Sequence, residues 1–408
     1  MFKLSIFIGY LSSALGIVGG IFLQPLLLKS FGDMGYVYWT TFIITLGYVS
    51  NGFVGLQTYL TVSIAKTSNI ITQKELLATA KGLLLLLGLA VPAFLYMLLA
   101  TASLELGLIT DPVFILATCL TLFKLLFETL LSYFSGNNRP IVPKIYDLTL
   151  KIFNVAIIIF VYFFEIDVKS ALVFYISSQL VNVILLTCFY RGEIKPFRFT
   201  ISSDLIKKLM YGALPFVMIS VPQSFVQTLD ILLISKYLNE TTATSVIFYL
   251  KIFSIVFISQ NILLSIFYPT WSKYLSENKT YELKKSFLSI NIFFILIVLT
   301  VSMVLNNFSV VIFSHWLSRD NIYIDENSLI LLTSMVLLQV IRTSFYFLNN
   351  SIKVDKKHVA IYWMELLIHF ILGVYAIERY GMNGVFLTSS VICFMTTATL
   401  YAFLKKYI

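Results

Sequence analysis

Residues 113–136 read VFILATCLTLFKLLFETLLSYFSG. The run is apolar or weakly polar except at Lys124 and Glu128, which lie four residues apart and therefore share one face of a helix. It is long enough to cross about 30 Å of hydrocarbon. A soluble helix would place such charges on a face that contacts water, and this run has no such face. The surroundings of the pair must therefore be inferred from the rest of the chain.

The composition indicates a polytopic membrane protein. The chain has 408 residues, of which 59% are hydrophobic and 12% charged, whereas soluble domains carry about 25% charged residues. Apolar runs long enough to span a bilayer recur along the whole sequence and predict an all-α protein. The twelve predicted spans are 4–28, 36–63, 82–101, 112–135, 145–164, 170–190, 209–235, 244–270, 287–305, 328–350, 358–377 and 384–404.

The distribution of Lys and Arg predicts the orientation. When loops are counted alternately from a cytoplasmic N-terminus, most of their basic residues fall on the cytoplasmic side. By the positive-inside rule, both termini are then cytoplasmic. The net charge of +9 is accordingly read as a topology signal and not as a sign of nucleic-acid binding. The basic residues predicted for the outer side are Lys29, Lys169, Lys236, Arg319 and Arg379.

An internal repeat predicts two six-helix lobes. A shift of 207 residues pairs Lys29 with Lys236 and Lys66 with Lys273, and a shift of 213 pairs Glu165 with Glu378. The predicted domains are 1–190 and 209–408, joined by a basic cytoplasmic loop at 191–208. Because each half contains an even number of helices, the two repeats are parallel. Parallel repeats are typical of transporters that bind substrate at the repeat interface.

Charges inside the hydrocarbon are expensive and are therefore candidates for function. The repeat places an acid and a base at matching depth in each lobe, which predicts two structural pairs, Glu128 with Lys151 and Arg342 with Glu365. The same four residues could instead line a polar pathway. If Glu128 pairs with Lys151, Lys124 is a spare positive charge near mid-membrane; alternatively, Glu128 is shared between Lys124 and Lys151. The intramembrane charges are Lys124, Glu128, Lys151, Asp230, Lys251, Arg342 and Glu365.

Polar stripes on neighbouring helices predict a polar ligand or water between them. One stripe contains Gln227 and Asp230, and the next helix carries Lys251, Ser254 and Asn261. Asp230 and Lys251 could also simply pair with each other. The candidate substrate-binding residues are Lys124, Gln227, Asp230, Lys251, Asn261 and Arg342.

The sequence contains no positive sign of an enzyme. A nucleotide-binding loop, HExxH and CxxC are absent from the sequence, and its three histidines are widely separated, so no Ser/His/Asp constellation is apparent. The three cysteines lie in apolar runs and predict neither a disulfide framework nor a metal site. No cofactor is expected, and any driving force must be an ion gradient, the membrane potential or substrate consumption.

Three segments resemble the MOP (multidrug/oligosaccharidyl-lipid/polysaccharide) exporter superfamily, and within it the Wzx-type O-antigen flippases. They are GIVGGIFLQPLLLKSFGDMGYVYW at 16–39, YFSGNNRPIVPK at 133–144 and RYGMNGVF at 379–386. The last resembles the family's Tyr-Gly-x-x-Gly-Ala turn before the final helix. The equivalent stretch of the first half, FEIDVKSAL at 164–172, lacks both glycines.

The resemblance implies a multi-pass protein of the bacterial inner membrane that has two lobes around a lumen. It also implies alternating access that carries an undecaprenyl-pyrophosphate-linked oligosaccharide of O-antigen or capsule type from the cytoplasmic to the periplasmic leaflet. Lys124 and Lys251 would then face the pyrophosphate. Implied partners are membrane lipids, H⁺ or Na⁺ as coupling ion, and polysaccharide polymerase or chain-length proteins.

Other functions are compatible with parts of the sequence. A cation-coupled multidrug exporter of the MATE type would use Asp230 as its coupling carboxylate. An oligosaccharide polymerase or ligase typically needs a large outer loop, and the predicted loops are short. A scaffold without transport activity would leave the intramembrane charges without a purpose. The sequence favours the flippase.

Overall fold

The computed structural model describes residues 2–66, 69, 71–84, 112–137, 139, 141–190, 203–317, 324–352 and 356–405. These residues are almost entirely helical. The helices are α1 (Phe2–Ile17), which continues through a π-helical turn (Val18–Phe22), α2 (Gln24–Lys66), α3 (71–84), α4 (Pro112–Gly136), α5 (Ile141–Phe163), α6 (Val168–Tyr190), α7 (Ser203–Tyr237), α8 (Glu240–Ser276), α9 (Thr280–Leu317), α10 (Glu326–Ile352) and α11 (Lys356–Leu404).

Two glycines break helices that are otherwise continuous. Gly32 in α2 has φ +68° and Gly381 in α11 has φ +58°, a region that residues with a side chain rarely adopt. Each break lies between two predicted spans, so α2 and α11 each extend over parts of two of them. Gly381 belongs to the RYGMNGVF segment, and the turn predicted there is therefore present.

Gly384, the second glycine of that segment, permits close packing. A Cβ added to Gly384 would lie 2.2 Å from the carbonyl oxygen of Ala376, and a backbone atom cannot move aside cheaply. Gly381 therefore supplies the turn, and Gly384 allows the final part of α11 to pack against the part that precedes the turn.

Eight helical segments of the described residues are long and apolar enough to cross a membrane. The chain is therefore a multi-pass membrane protein. Predicted span 82–101 lies mostly outside the described residues, so the number twelve and the cytoplasmic position of the termini stay predictions.

Helix α9 is longer than the sequence predicted. The predicted span was 287–305, whereas the helix runs from Thr280 to Leu317. Its buried face continues through Ser309, Phe313 and Leu317, at helical spacing. The Phe313 ring lies 4.8 Å from the Tyr249 ring of α8, measured between centroids. This packing continues α9 through a segment that the sequence predicted as an outer loop (306–327) with a short interfacial helix around Phe313 and Trp316.

Polar side chains define where three helices begin. Asp167 Oδ1 accepts hydrogen bonds from the backbone N–H groups of Lys169 and Ser170 at the start of α6. Asn239 caps α8 and Asp325 caps α10 in the same way. Hydrogen bonds from Ser170 to Asp167 and from Ser328 to Asp325 hold the pKa values of both aspartates below their usual range.

The contacts divide the chain into two compact units, Met1–Ser224 and Phe225–Ile408. In the first unit α1 packs on α5, and α4 packs on α2 and α6. In the second, α10 packs on α8, α9 and α11. The division falls inside α7, and residues 191–202 of the predicted linking loop lie outside the described residues. The predicted domains 1–190 and 209–408 therefore stay a prediction.

Candidate functional site

The second unit contains a cavity of about 280 Å³ among α7, α8 and α10, lined by both polar and apolar side chains. Three of the predicted substrate-binding residues, Asp230, Asn261 and Arg342, line it. The complete lining is Thr228, Asp230, Ile231, Leu250, Ser254, Phe257, Ile258, Asn261, Met335, Gln339, Arg342 and Thr343.

Asp230 is held by two buried side chains that the sequence did not connect with it. Its Oδ1 accepts a hydrogen bond of 2.7 Å from the Ser389 hydroxyl and lies 2.9 Å from His369 Nε2. The distance from His369 Nε2 to Ser389 Oγ is 2.8 Å. All three residues are at most 2% exposed. The alternative pair of Asp230 with Lys251 is not present; among the described residues the partners of Asp230 are His369 and Ser389.

Arg342 of α10 is neutralised by Glu365 of α11, the helix that also carries His369 and Ser389. Its guanidinium donates to the Glu365 carboxylate, and both side chains are buried. The geometry agrees with the structural pair that the repeat predicted. Arg342 nevertheless also lines the cavity, so one residue takes part in both a structural pair and the cavity wall.

Helix α11 supplies both compensating groups from one face. Glu365 and His369 are one helical turn apart on α11, so they lie on the same face. Glu365 pairs with Arg342 on α10, and His369 contacts Asp230 on α7. Gly373, one turn further on, lets α11 approach α7 closely, since a Cβ there would lie 2.8 Å from Leu233. The spacing Glu-x-x-x-His was therefore the sequence signal for this arrangement.

The arrangement of Asp230, His369 and Ser389 differs from that of a hydrolytic triad. In such a triad the carboxylate binds His Nδ1 and the serine binds Nε2. Here Nε2 faces both groups, and Nδ1 has no hydrogen-bond partner among the described residues. The Ser389 hydroxyl donates to the carboxylate and is fully buried. The cluster holds a carboxylate in place and does not prepare a nucleophile.

The cavity presents uncharged hydrogen-bonding groups. The side-chain amides of Asn261 and Gln339 make no hydrogen bond within the described residues, so each offers both donors and an acceptor. The hydroxyls of Ser254 and Thr343 donate to carbonyls of their own helices, at 2.6 and 2.8 Å, and so present acceptor oxygens. Phe257 adds an aromatic surface.

In the first unit, Glu128 has partners other than the predicted Lys151. Lys124 Nζ lies 3.4 Å from Glu128 Oε1 and donates to Gln179 at 2.7 Å, and the Tyr146 hydroxyl donates to Glu128 at 2.7 Å. The predicted pair of Glu128 with Lys151 was wrong. Tyr146 and Lys151 lie on one helix but roughly 140° apart around it, so only Tyr146 faces α4. Lys124 is consequently paired and is not a spare charge.

Lys151 instead faces α1. A Cβ added to Gly16 would lie 3.6 Å from Lys151 Cε, and one added to Gly9 would lie 3.6 Å from Lys144 Cδ. Between them, Ser12 donates a hydrogen bond to Asp147. Small residues at helical spacing on α1 thus accommodate a charged stripe of α5. Their spacing is visible in the sequence.

Two predicted binding residues are not placed at the cavity. Lys251 is half-buried and does not belong to the lining. The side chain of Gln227 lies outside the described residues. Their predicted roles, like that of Lys124 in binding pyrophosphate, stay predictions.

No protein-family model matches the chain, and no curated protein matches it. Solved structures, in contrast, are similar over nearly its whole length. A multidrug resistance MATE family transporter of the MOP superfamily, in an inward-facing conformation, is 13% identical with a TM-score of 0.71, and the alignment covers 97% of this chain and 95% of that one.

Two further structures show the same similarity. A mutant of the Vibrio cholerae MATE transporter VcmN is 12% identical with a TM-score of 0.64, over 98% and 97% of the two chains. A MOP superfamily transporter from Pyrococcus furiosus is 13% identical with a TM-score of 0.65, and the alignment covers 100% of this chain and 95% of that one. The reverse polarity of that transporter's binding pocket suggests a different function for it. The chain therefore has the fold of these transporters.

Proposed function

We propose that the protein is a flippase for undecaprenyl-pyrophosphate-linked oligosaccharide repeat units, of O-antigen or capsule type. It moves them from the cytoplasmic to the periplasmic leaflet of the bacterial inner membrane by alternating access. The observation that carries the proposal is the cavity in the second unit, whose lining combines compensated charges with amides that have no hydrogen-bond partner among the described residues.

The hydrogen-bonding groups of the cavity fit a sugar. Each hydroxyl of a sugar can both donate and accept a hydrogen bond, and Asn261 and Gln339 can do the same through their amides. Phe257 can contact the apolar face of a sugar ring. Because Asp230 and Arg342 already have buried partners, a neutral polar ligand can bind beside them without leaving either charge unpaired.

The alternative is a cation-coupled multidrug exporter of the MATE type. This alternative is supported by the fold and by the position of Asp230 in the cavity lining, where its carboxylate could bind a cation. The flippase is preferred because the polar side chains of the lining other than Asp230 and Arg342 are uncharged, which suits a sugar better than an organic cation. In either function H⁺ or Na⁺ is the proposed coupling ion, and polymerase and chain-length proteins are proposed partners of the flippase.

Deletion of the gene in its own host distinguishes the two functions. The flippase predicts loss of surface polysaccharide and accumulation of lipid-linked repeat units on the cytoplasmic leaflet, both restored by the wild-type gene. It also predicts unchanged susceptibility to cationic drugs. Normal surface polysaccharide in a strain without a second flippase, combined with greater drug susceptibility, would support the exporter instead.

A further inference from the structure

A second cavity, of about 430 Å³, lies at one end of the second unit. It forms where α9 begins and where α10 and α11 end. The lining combines two lysines with aromatic and aliphatic side chains: Lys284, Phe287, Leu288, Phe345, Tyr401 and Lys405. By the positive-inside rule this end of the unit is predicted to be cytoplasmic.

The two lysines bring positive charge to one cavity. Neither Lys284 nor Lys405 has an ion-pair partner among the described residues, and both side chains are exposed. In contrast, Lys279, near the start of the same helix α9, is paired with Glu277 at 2.6 Å. The cavity therefore offers two ammonium groups whose charges no described residue neutralises.

An aromatic wall separates these lysines from the interior of the unit. The Phe345 ring contacts Phe287 at 4.9 Å and Tyr401 at 6.2 Å between centroids. Phe287 and Phe345 are buried, while Tyr401 is about half exposed. A ligand in the cavity would thus meet ammonium groups at its polar end and hydrocarbon at its other end.

The outer face of α9 continues from the cavity as an apolar stripe. Its members recur at helical spacing and are each 46–70% exposed: Leu288, Ile292, Leu296, Leu299 and Met303. In a membrane protein such a face contacts lipid chains. The cavity and stripe together match a phosphate head attached to long apolar chains.

We propose that this cavity binds the phosphate headgroup of an anionic phospholipid of the cytoplasmic leaflet, with its acyl chains along the α9 stripe. Basic pockets between transmembrane helices on the cytoplasmic side bind such headgroups. A polyprenyl pyrophosphate shares the same chemistry. The membrane phospholipid is the assigned ligand because the stripe faces outward, where bilayer lipid is always present.

Native mass spectrometry of the purified full-length protein tests the assignment. The probes are phosphatidylglycerol, phosphatidylcholine and farnesyl pyrophosphate. Wild-type protein should retain phosphatidylglycerol in preference to phosphatidylcholine, and the double variant Lys284→Gln, Lys405→Gln should reduce that retention about tenfold. Exposed lysines tolerate glutamine, and a thermal melt in detergent checks that the variant is folded.

The matched control is Lys279→Gln, Lys285→Gln, which removes two charges from the same helix start but none from the cavity lining. It should leave phosphatidylglycerol retention within about twofold of wild type. An equal reduction in the control would show general surface attraction and overturn the site. Loss of farnesyl pyrophosphate binding with unchanged phosphatidylglycerol binding would overturn the phospholipid assignment.

Discussion

Replacement of Glu365 by glutamine should remove most of the folded protein. Glu365 is 4% exposed and neutralises Arg342, which is 5% exposed. Removing one partner of a buried ion pair leaves the other charge uncompensated, at a cost of about 3–5 kcal/mol. That is a large fraction of the total stability of a typical domain. The measurement is the yield of monodisperse protein in size-exclusion chromatography, together with its thermal melt in detergent.

The double variant Glu365→Leu, Arg342→Met should recover much of the lost stability. Replacing both members of a buried pair by apolar residues of similar size is often neutral. Glu378→Gln is the control, because it removes an exposed carboxylate from the same helix α11. If Glu365→Gln were as stable as Glu378→Gln, the pair would not be structural. A folded double variant also reports separately whether transport needs the Arg342 charge in the cavity wall.

Replacement of His369 by alanine should cost about 3 kcal/mol or more. The imidazole is fully buried, so its removal leaves a cavity and deprives the Asp230 carboxylate of one of its two partners. Ser389→Ala should cost less, about 1–2 kcal/mol, since it removes one hydroxyl and leaves His369 in place. Thermal unfolding of each variant measures the two effects.

A double-mutant cycle shows whether His369 acts through Asp230. The combined variant Asp230→Asn, His369→Ala should cost less than the sum of the single variants, because the carboxylate that His369 supports is already gone. His315→Ala is the control, since that histidine is exposed near the end of α9. Additive costs would mean that His369 only fills space.

Features of the fold that depend on a few consecutive residues were predictable from the sequence, whereas contacts between distant residues mostly were not. Long apolar runs identified most helices, and RYGMNGVF identified the turn at Gly381, because both depend on a few consecutive residues. The extension of α9 to Leu317 was missed because it depends on packing against α8, which hydropathy does not report.

The candidate site shows the same limit. The repeat led to the pair of Arg342 and Glu365 because both halves carry an acid and a base at similar depth. It failed for Glu128 because helix rotation, which the repeat does not specify, turns Lys151 towards α1 and Tyr146 towards α4. The contact between Asp230 and His369 joins residues 139 positions apart. Only the spacing of Glu365 and His369 hinted at it.

The proposed flippase recognises sugar in the cavity of the second unit through the amides of Asn261 and Gln339, which have no hydrogen-bond partner among the described residues. The most direct test of this recognition is equilibrium binding of a lipid-linked oligosaccharide to the purified protein, compared with the double variant Asn261→Ala, Gln339→Ala and with Asn307→Ala, whose amide bonds its own helix. Binding is expected to fall about tenfold or more in the double variant, to be unchanged in the control and to resist displacement by an organic cation. Undiminished oligosaccharide binding in the double variant, or displacement by the cation, would contradict the proposal.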